Sequence, residues 1–266
     1  MSTALDPLVA IPPEEVPLRD APLVRVIAQL RFPELLRIEQ RDFIVPFQEA
    51  LRGTYPVLRE DQAQEMQFNL RPPGVMMEKQ RIIWRFSDVE GTWRVSLASD
   101  FLALETTRYT SRHDFLTRLR TMVEAVDRHL EPKLVDRVGI RYIDRITGNN
   151  VDDIAALVRQ EVRGILGTAA ATHASHSVSE SMFHLPGARI IARWGHLPPQ
   201  ATIDPAAIEP AAQKSWILDL DMFSAAPAPF DTEHIINSVQ HYAERIYTLF
   251  RWAVTDEFLR RYGGTP

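Results

Sequence analysis

Asp219 and Asp221, in the run LDLD, alternate with Leu218, Leu220 and Met222. On a strand this spacing puts both carboxylates on one face, roughly 6.5 to 7 Å apart, where a nucleotide-sugar enzyme can hold a divalent cation. Two residues make a sparse motif, so the simpler expectation is a solvated strand face opposite the three apolar side chains. His173 and His176, with His184 and His196 farther on, offer imidazoles of the kind transition metals take. Their spacing does not follow a strand, and surface histidines without a metal are expected.

A broader constellation is spread over several segments. Arg25, Gln29 and Arg31 alternate with apolar neighbours, and Arg137, Arg141 and Arg145 do the same later in the chain. Glu105, Asp219 and Asp221 can lie on the corresponding face. A surface of this kind can hold an anionic ligand or a protein edge by paired charge. The plainer outcome is that arginines and acids neutralise one another. The candidate binding residues are thus Arg31, Glu105, Arg141, Arg145, Asp219 and Asp221. No phosphate-cradling glycine loop, nucleophile elbow or HExxH helix occurs in the sequence, so no catalytic residue is assigned and no cofactor is expected. Trp84, Trp93, Trp194, Trp216 and Trp252 are read as core packing, and Met76 with Met77 as gap-filling or loop packing.

These side chains need strands to hold them. Val24, Val26, Ala28 and Leu30 alternate with Arg25, Gln29 and Arg31, which predicts a first strand with one buried face. A short helix is expected over residues 43–52, despite Pro46, and strands over 64–71, 81–87, 92–98 and 101–107. Residues 88–91 (DVEG) read as a hairpin turn. Ser111 and Asp114 form a capping box ahead of a helix whose apolar stripe is Phe115, Leu116, Leu119, Met122, Val123, Val126 and Leu130. The same spacing recurs near the end in Ile235, Ile236, Val239, Tyr242, Ala243, Ile246 and Phe250. Between the two, a strand (137–146), a helix (152–166) and strands near 175–184, 188–194 and 215–222 are expected.

The order of motifs repeats as well. RFPELL (31–36) is echoed by RYIDRI (141–146), QFNLRPPG (67–74) by MFHLPG (182–187), RIIWRF (81–86) by RIIARW (189–194), and Trp93 by Trp216. A repeated order of this kind predicts an internally duplicated α+β fold. Each half runs β-α-β(3-4)-α, with antiparallel sheets covered on one face by long helices. The expected layout is a flexible N-terminal arm over residues 1–20, a first half over 21–133 and a second half over 134–266. The halves differ at residues 196–214, a long loop in place of the DVEG turn, which reads as a recognition loop or mobile insertion. The Ala-rich stretch 167–177 reads as a flexible link.

At 266 residues the chain is long enough to bury a sizeable core, and 45% hydrophobic with 24% charged residues is ordinary for a globular protein. A formal net charge of -5 argues against an electrostatic footprint for nucleic acid. With no cysteine there is no disulfide, thiolate nucleophile or thiolate metal site, which fits a cytoplasmic setting. Prolines and acids occupy the first twenty residues, where a signal peptide needs a basic start, and no apolar run approaches ~20 residues, so no membrane association is expected.

In PLVRVIAQLRFPELL (22–36), SLASDFLALETTRY (96–109) and RVGIRYIDRI (137–146), the chain resembles a sporadically distributed bacterial family of uncharacterised proteins. That resemblance extends over most of the chain and implies a bacterial, intracellular protein, with no reaction to carry over. Patchy distribution implies a gene exchanged with mobile or defence modules, and with it a partner-dependent role such as immunity or toxin neutralisation. The expected function is a non-enzymatic interaction protein that binds a protein partner through the sheet face or the long loop, as a monomer or homodimer. The alternative is a small-ligand-binding or hydrolytic enzyme with a pocket between the halves, where Arg31, Arg141 and Glu105 converge.

Overall fold

The computed structural model describes residues 6–68 and 76–266, and the side chains of all of these except 63–68 and 76–80. In chain order the elements are β1 (Leu23–Arg31), α1 (Arg41–Leu51), β2 (Val57–Phe68), β3 (Met76–Ser87), β4 (Trp93–Ala98), β5 (Phe101–Thr106) and α2 (Arg112–Leu130). They continue with β6 (Leu134–Val135), β7 (Arg137–Thr147), α3 (Asn149–Asp152), α4 (Ile154–Leu157), α5 (Gln160–Arg163), β8 (Ser177–Leu185) and β9 (Ala188–Leu197). The chain ends with β10 (Ser215–Ser224), β11 (Ala228–Pro229), α6 (Thr232–Ala253) and α7 (Asp256–Arg261). The class is mixed α and β with antiparallel strand pairing.

The described residues form two compact units. One unit takes in residues up to Val26 together with Gly139–Ala225 and Ser238–Pro266; the other takes in Ile27–Val138 and Ala226–Asn237. In the second of these, β2, β3, β4 and β5 are neighbours in that order. Large aromatic residues close its core. Trp84 of β3 is buried and donates its indole N–H to the Ile38 carbonyl at 2.7 Å, while Phe47 of α1 meets Phe86 of β3 edge-on with centroids 5.6 Å apart. Trp93 packs on Phe115 of α2 at 5.7 Å, and the Arg118 guanidinium lies 4.4 Å over the Trp93 ring, so the cation covers the aromatic face without leaving water. Ser111 caps α2 as its sequence implies, its hydroxyl accepting from the Asp114 N–H at 3.1 Å. In the β4 hairpin, Asp88 accepts from the Trp93 N–H at 3.1 Å and the Thr92 hydroxyl at 2.7 Å, and Gly91 supplies a φ of 72° that a side chain would resist.

In the other unit the order is β7, β10, β9, β8. Strand β10 is buried on both faces from Ser215 to Leu220, and its register is set on both flanks: Asp219 lies opposite Ile143 of β7 and Arg193 of β9. The described part of the N-terminal arm is tied to this unit. The Val16 N–H donates to the Tyr247 hydroxyl at 2.8 Å, Arg245 donates to the Ala10 carbonyl at 2.6 Å, and the Asp20 N–H donates to the Tyr262 carbonyl at 3.2 Å.

Two local expectations change. A single helix over 152–166 is replaced by three short ones, α3 to α5, followed by a 3-10 turn at Gly164–Gly167. The break is tertiary: Val158 takes extended angles to bridge Val254, and the Arg159 N–H donates to the Ala253 carbonyl at 2.9 Å. A β-branched residue gains more from this pairing than from one more helical turn. The Ala-rich stretch 167–177 contains a 3-10 helix at Ala169–His173, entered through a Thr168 cap. The strand expected over 64–71 is β2 up to Phe68; Asn69 to Gly74 of the QFNLRPPG motif lie outside the described residues. Met76 and Met77 begin β3, and their side-chain packing also lies outside them.

Gly195 explains how β8 and β9 approach one another. Its φ is 146°, and a Cβ there would stand 1.9 Å from the Ser177 carbonyl oxygen, a backbone atom that cannot swing aside. Gly195→Ala is expected to destabilise the fold by about 3 kcal/mol or more, read as a lower urea midpoint with an unchanged slope.

Candidate functional site

Odd-numbered residues of β7, β9 and β10 share one sheet face, because side chains alternate along each strand and the registers pair odd with odd. Arg141 and Arg145 stand on β7, Asp219 and Asp221 on β10, Arg189 and Arg193 on β9. Glu180 of β8 lies opposite Arg193 and joins this face.

Asp219 is fully buried, and two arginines answer it. Arg141 donates Nε and Nη2 to its two carboxylate oxygens at 2.7 and 2.8 Å, and Arg193 reaches Oδ2 through Nη1 at 3.4 Å. Arg193 also donates Nε to Glu180. Arg141 has a second acid, Asp204, which accepts from Nη1 at 2.7 Å. Burial disfavours the Arg141 cation, but Asp219 and Asp204 outweigh it and hold the proton more firmly than on a free guanidinium. Burial likewise works to raise Asp204, while Arg141 and the N–H groups of Ala206 and Ala207 win and keep its carboxyl below the ordinary range.

Asp204 comes from the long loop, whose first residues extend β9 so that the connection spans 198–214. The loop is ordered by its own bonds: Thr202 donates its hydroxyl to the Ile208 carbonyl at 2.6 Å, and the Gln200 N–H donates to the Ala211 carbonyl at 2.7 Å. Ala207 and Ile208 are buried. Glu209 points outward, 86% exposed, with Oε1 4.0 Å from Nη2 of Arg25.

The sequence candidates therefore divide. Arg141 and Asp219 meet directly, Asp221 lies opposite Arg141 in the register, and Arg145 shares their face. Arg31 and Glu105 belong to the other unit: Arg31 is exposed and donates to Gln29 at 3.4 Å, and Glu105 accepts from Arg94. Asp219 is not on a solvated face: it is fully buried, and Arg141 and Arg193 take the place of a cation. Among the described residues no group of three or more His, Asp or Glu side chains is placed to hold a metal ion. His173, His176 and His184 are exposed and His196 is half-buried. Arg193, Glu180 and Asp204 were not singled out from the sequence. Arg193 carries an alternation signal, flanked by Ala192 and Trp194; Asp204 carries none, because only loop closure brings it to Arg141.

The even face of the same strands is different. Asp144 of β7 is buried there beside the row Leu218 and Trp194, and burial alone pushes its carboxyl up to about 7. Trp194 Nε1, Trp216 Nε1 and His196 Nε2 are buried on this face without hydrogen-bond partners. Burial lowers the His196 pKa, and Lys214, which pairs with Asp152, pushes in the same direction.

No family model matches this chain, and no curated protein matches it. Among the described residues no helix is long and apolar enough to cross a membrane.

Two outcomes test this account. Asp219→Ala leaves Arg141 and Arg193 without their shared acid and is expected to cost about 3–5 kcal/mol, whereas Asp219→Leu combined with Arg141→Met recovers much of that loss in urea denaturation. For Asp144 the folded pKa of about 7 lies above the ordinary 3.8. The folded state keeps a proton that the unfolded chain releases, so stability is full below pH 4, falls between 4 and 7 and levels off above. Asp144→Asn is expected to flatten that profile and to exceed the parent above pH 7 by up to about 4 kcal/mol.

Proposed function

We propose that this chain is a non-enzymatic interaction protein that binds a protein partner at the charged sheet face of the β7–β10–β9–β8 unit, in a bacterial defence or mobile-element module. The observation that carries the reading is β8. It is the last strand in its unit's order, and among the described residues no strand pairs with its outer edge. Unpaired N–H and C=O groups in a row are a template for an incoming strand. The side chains beside that edge supply selectivity: Val178 and Met182 are 38% and 51% exposed and alternate with Glu180 and His184 on the face that carries Arg193. Apolar anchors set among charges suit a partner strand with complementary alternation.

The ion network behind this edge supports binding over catalysis, because its acids and cations are spent on one another. Arg141, which the pocket alternative needs, has donors committed to Asp219 and Asp204, and Glu105 accepts from Arg94. Internal duplication belongs to the same proposal, supported by the motif order and by the apolar stripe shared by α2 and α6. A cytoplasmic setting, supported by the lack of cysteine, also belongs to it.

Replacing Val178 and Met182 together by Lys tests the proposal, since both side chains are exposed and the fold is expected to tolerate the change. Tagged parent protein, isolated at low salt from its host and read by native mass spectrometry, is expected to carry a stoichiometric protein that the double variant loses. A parent chain that emerges bare, or a variant that keeps the partner, overturns the assignment.

A further inference from the structure

Arg141 and Arg145 lie four residues apart on the same face of β7, and their surroundings treat them differently. Arg141 grips both oxygens of Asp219 with one edge of its guanidinium, Nε and Nη2. On Arg145 the same two atoms, Nε and Nη2, are buried and have no hydrogen-bond partner. Buried donors are almost always satisfied, and on a cation the cost of leaving them open is larger still. The pair Nε with Nη2 is also the edge whose spacing matches two oxygens of a carboxylate or phosphate.

The nearby charge fits an exchangeable anion. Burial works against the Arg145 cation, and the acid that counters it is Glu209 of the long loop. Glu209 makes no hydrogen bond to Arg145 and is instead 4.0 Å from Arg25, with its side chain almost wholly in water. Asp204 anchors the loop at Arg141 five residues earlier, while Glu209 and Pro210 stay exposed.

We propose that the Nε–Nη2 edge of Arg145 is a binding site for an oxyanion, a carboxylate or phosphate group. Glu209 is the charge that the bound anion displaces. The site does not rely on the partner proposed above, because a small anion is enough to occupy it.

Calorimetric titration of the intact protein with inorganic phosphate and, separately, with acetate tests the site. Saturable binding of at least one is expected, and which one binds assigns the source of the oxyanion. Arg145→Gln is expected to weaken that binding by about tenfold or more, since charge-assisted hydrogen bonds are lost. Arg145→Lys, which keeps the charge without the fork, is expected to weaken it as well and serves if the glutamine variant fails to fold. Glu209→Gln, on an exposed side chain, is expected to tighten it severalfold. Equal binding by the parent and both Arg145 variants, an adventitious ion only, overturns the proposal, as does an absence of binding of either anion to the parent.

Discussion

A carboxylate removed completely from water has to be neutralised where it stands, and Asp219 is such a group in the middle of β10. Its neutralisation comes from both sides, from Arg141 on β7 and Arg193 on β9. A slip of one residue in either register would turn the arginine to the opposite face and leave an unpaired charge buried. The ion triad thus specifies how three strands pair, and β8 is bound into the same chain of charge through Glu180. Replacing such a triad with apolar residues need not lower stability, so its contribution lies chiefly in register.

The long loop depends on the same triad. Arg141 has donors left after satisfying Asp219, and Asp204 uses one of them, which draws residues 198–214 onto the face and lets Ala207 and Ile208 bury. A connection of this length would ordinarily carry a high conformational cost. Here that cost is offset by internal hydrogen bonds and by the burial of Ala207 and Ile208. Glu209 keeps its charge in solvent.

The two faces of the strands handle polarity in opposite ways. On the odd face, charge is balanced by charge at short range. On the even face, Trp194, Trp216 and His196 bury ring nitrogens without hydrogen-bond partners, and burial shifts Asp144 towards its neutral form. One sheet therefore carries an ion network on one side and a carboxyl that burial holds towards its neutral form on the other, separated by the thickness of the backbone.

Alternation and apolar spacing were enough to place most elements, because they report which side of a strand or helix is buried. The first strand, the strands over 81–107, both long helices, the Ser111 cap and the turn at Gly91 are local properties of this kind. The helix over 152–166 was not legible, since Val158 leaves it to pair with Val254, nearly a hundred positions away in sequence. The site divides along the same line. That Arg141, Arg145 and Asp219 lie on strands with one polar side was readable from their neighbours, and so was their capacity to pair charge. That Asp219 is buried, that Arg193 and Asp204 complete its network, and that Arg145 keeps an open edge were decided by tertiary structure alone. Hydrogen bonds and desolvation depend on distances between segments far apart in the chain, and those distances exist only once the strands are in register and the loop has closed.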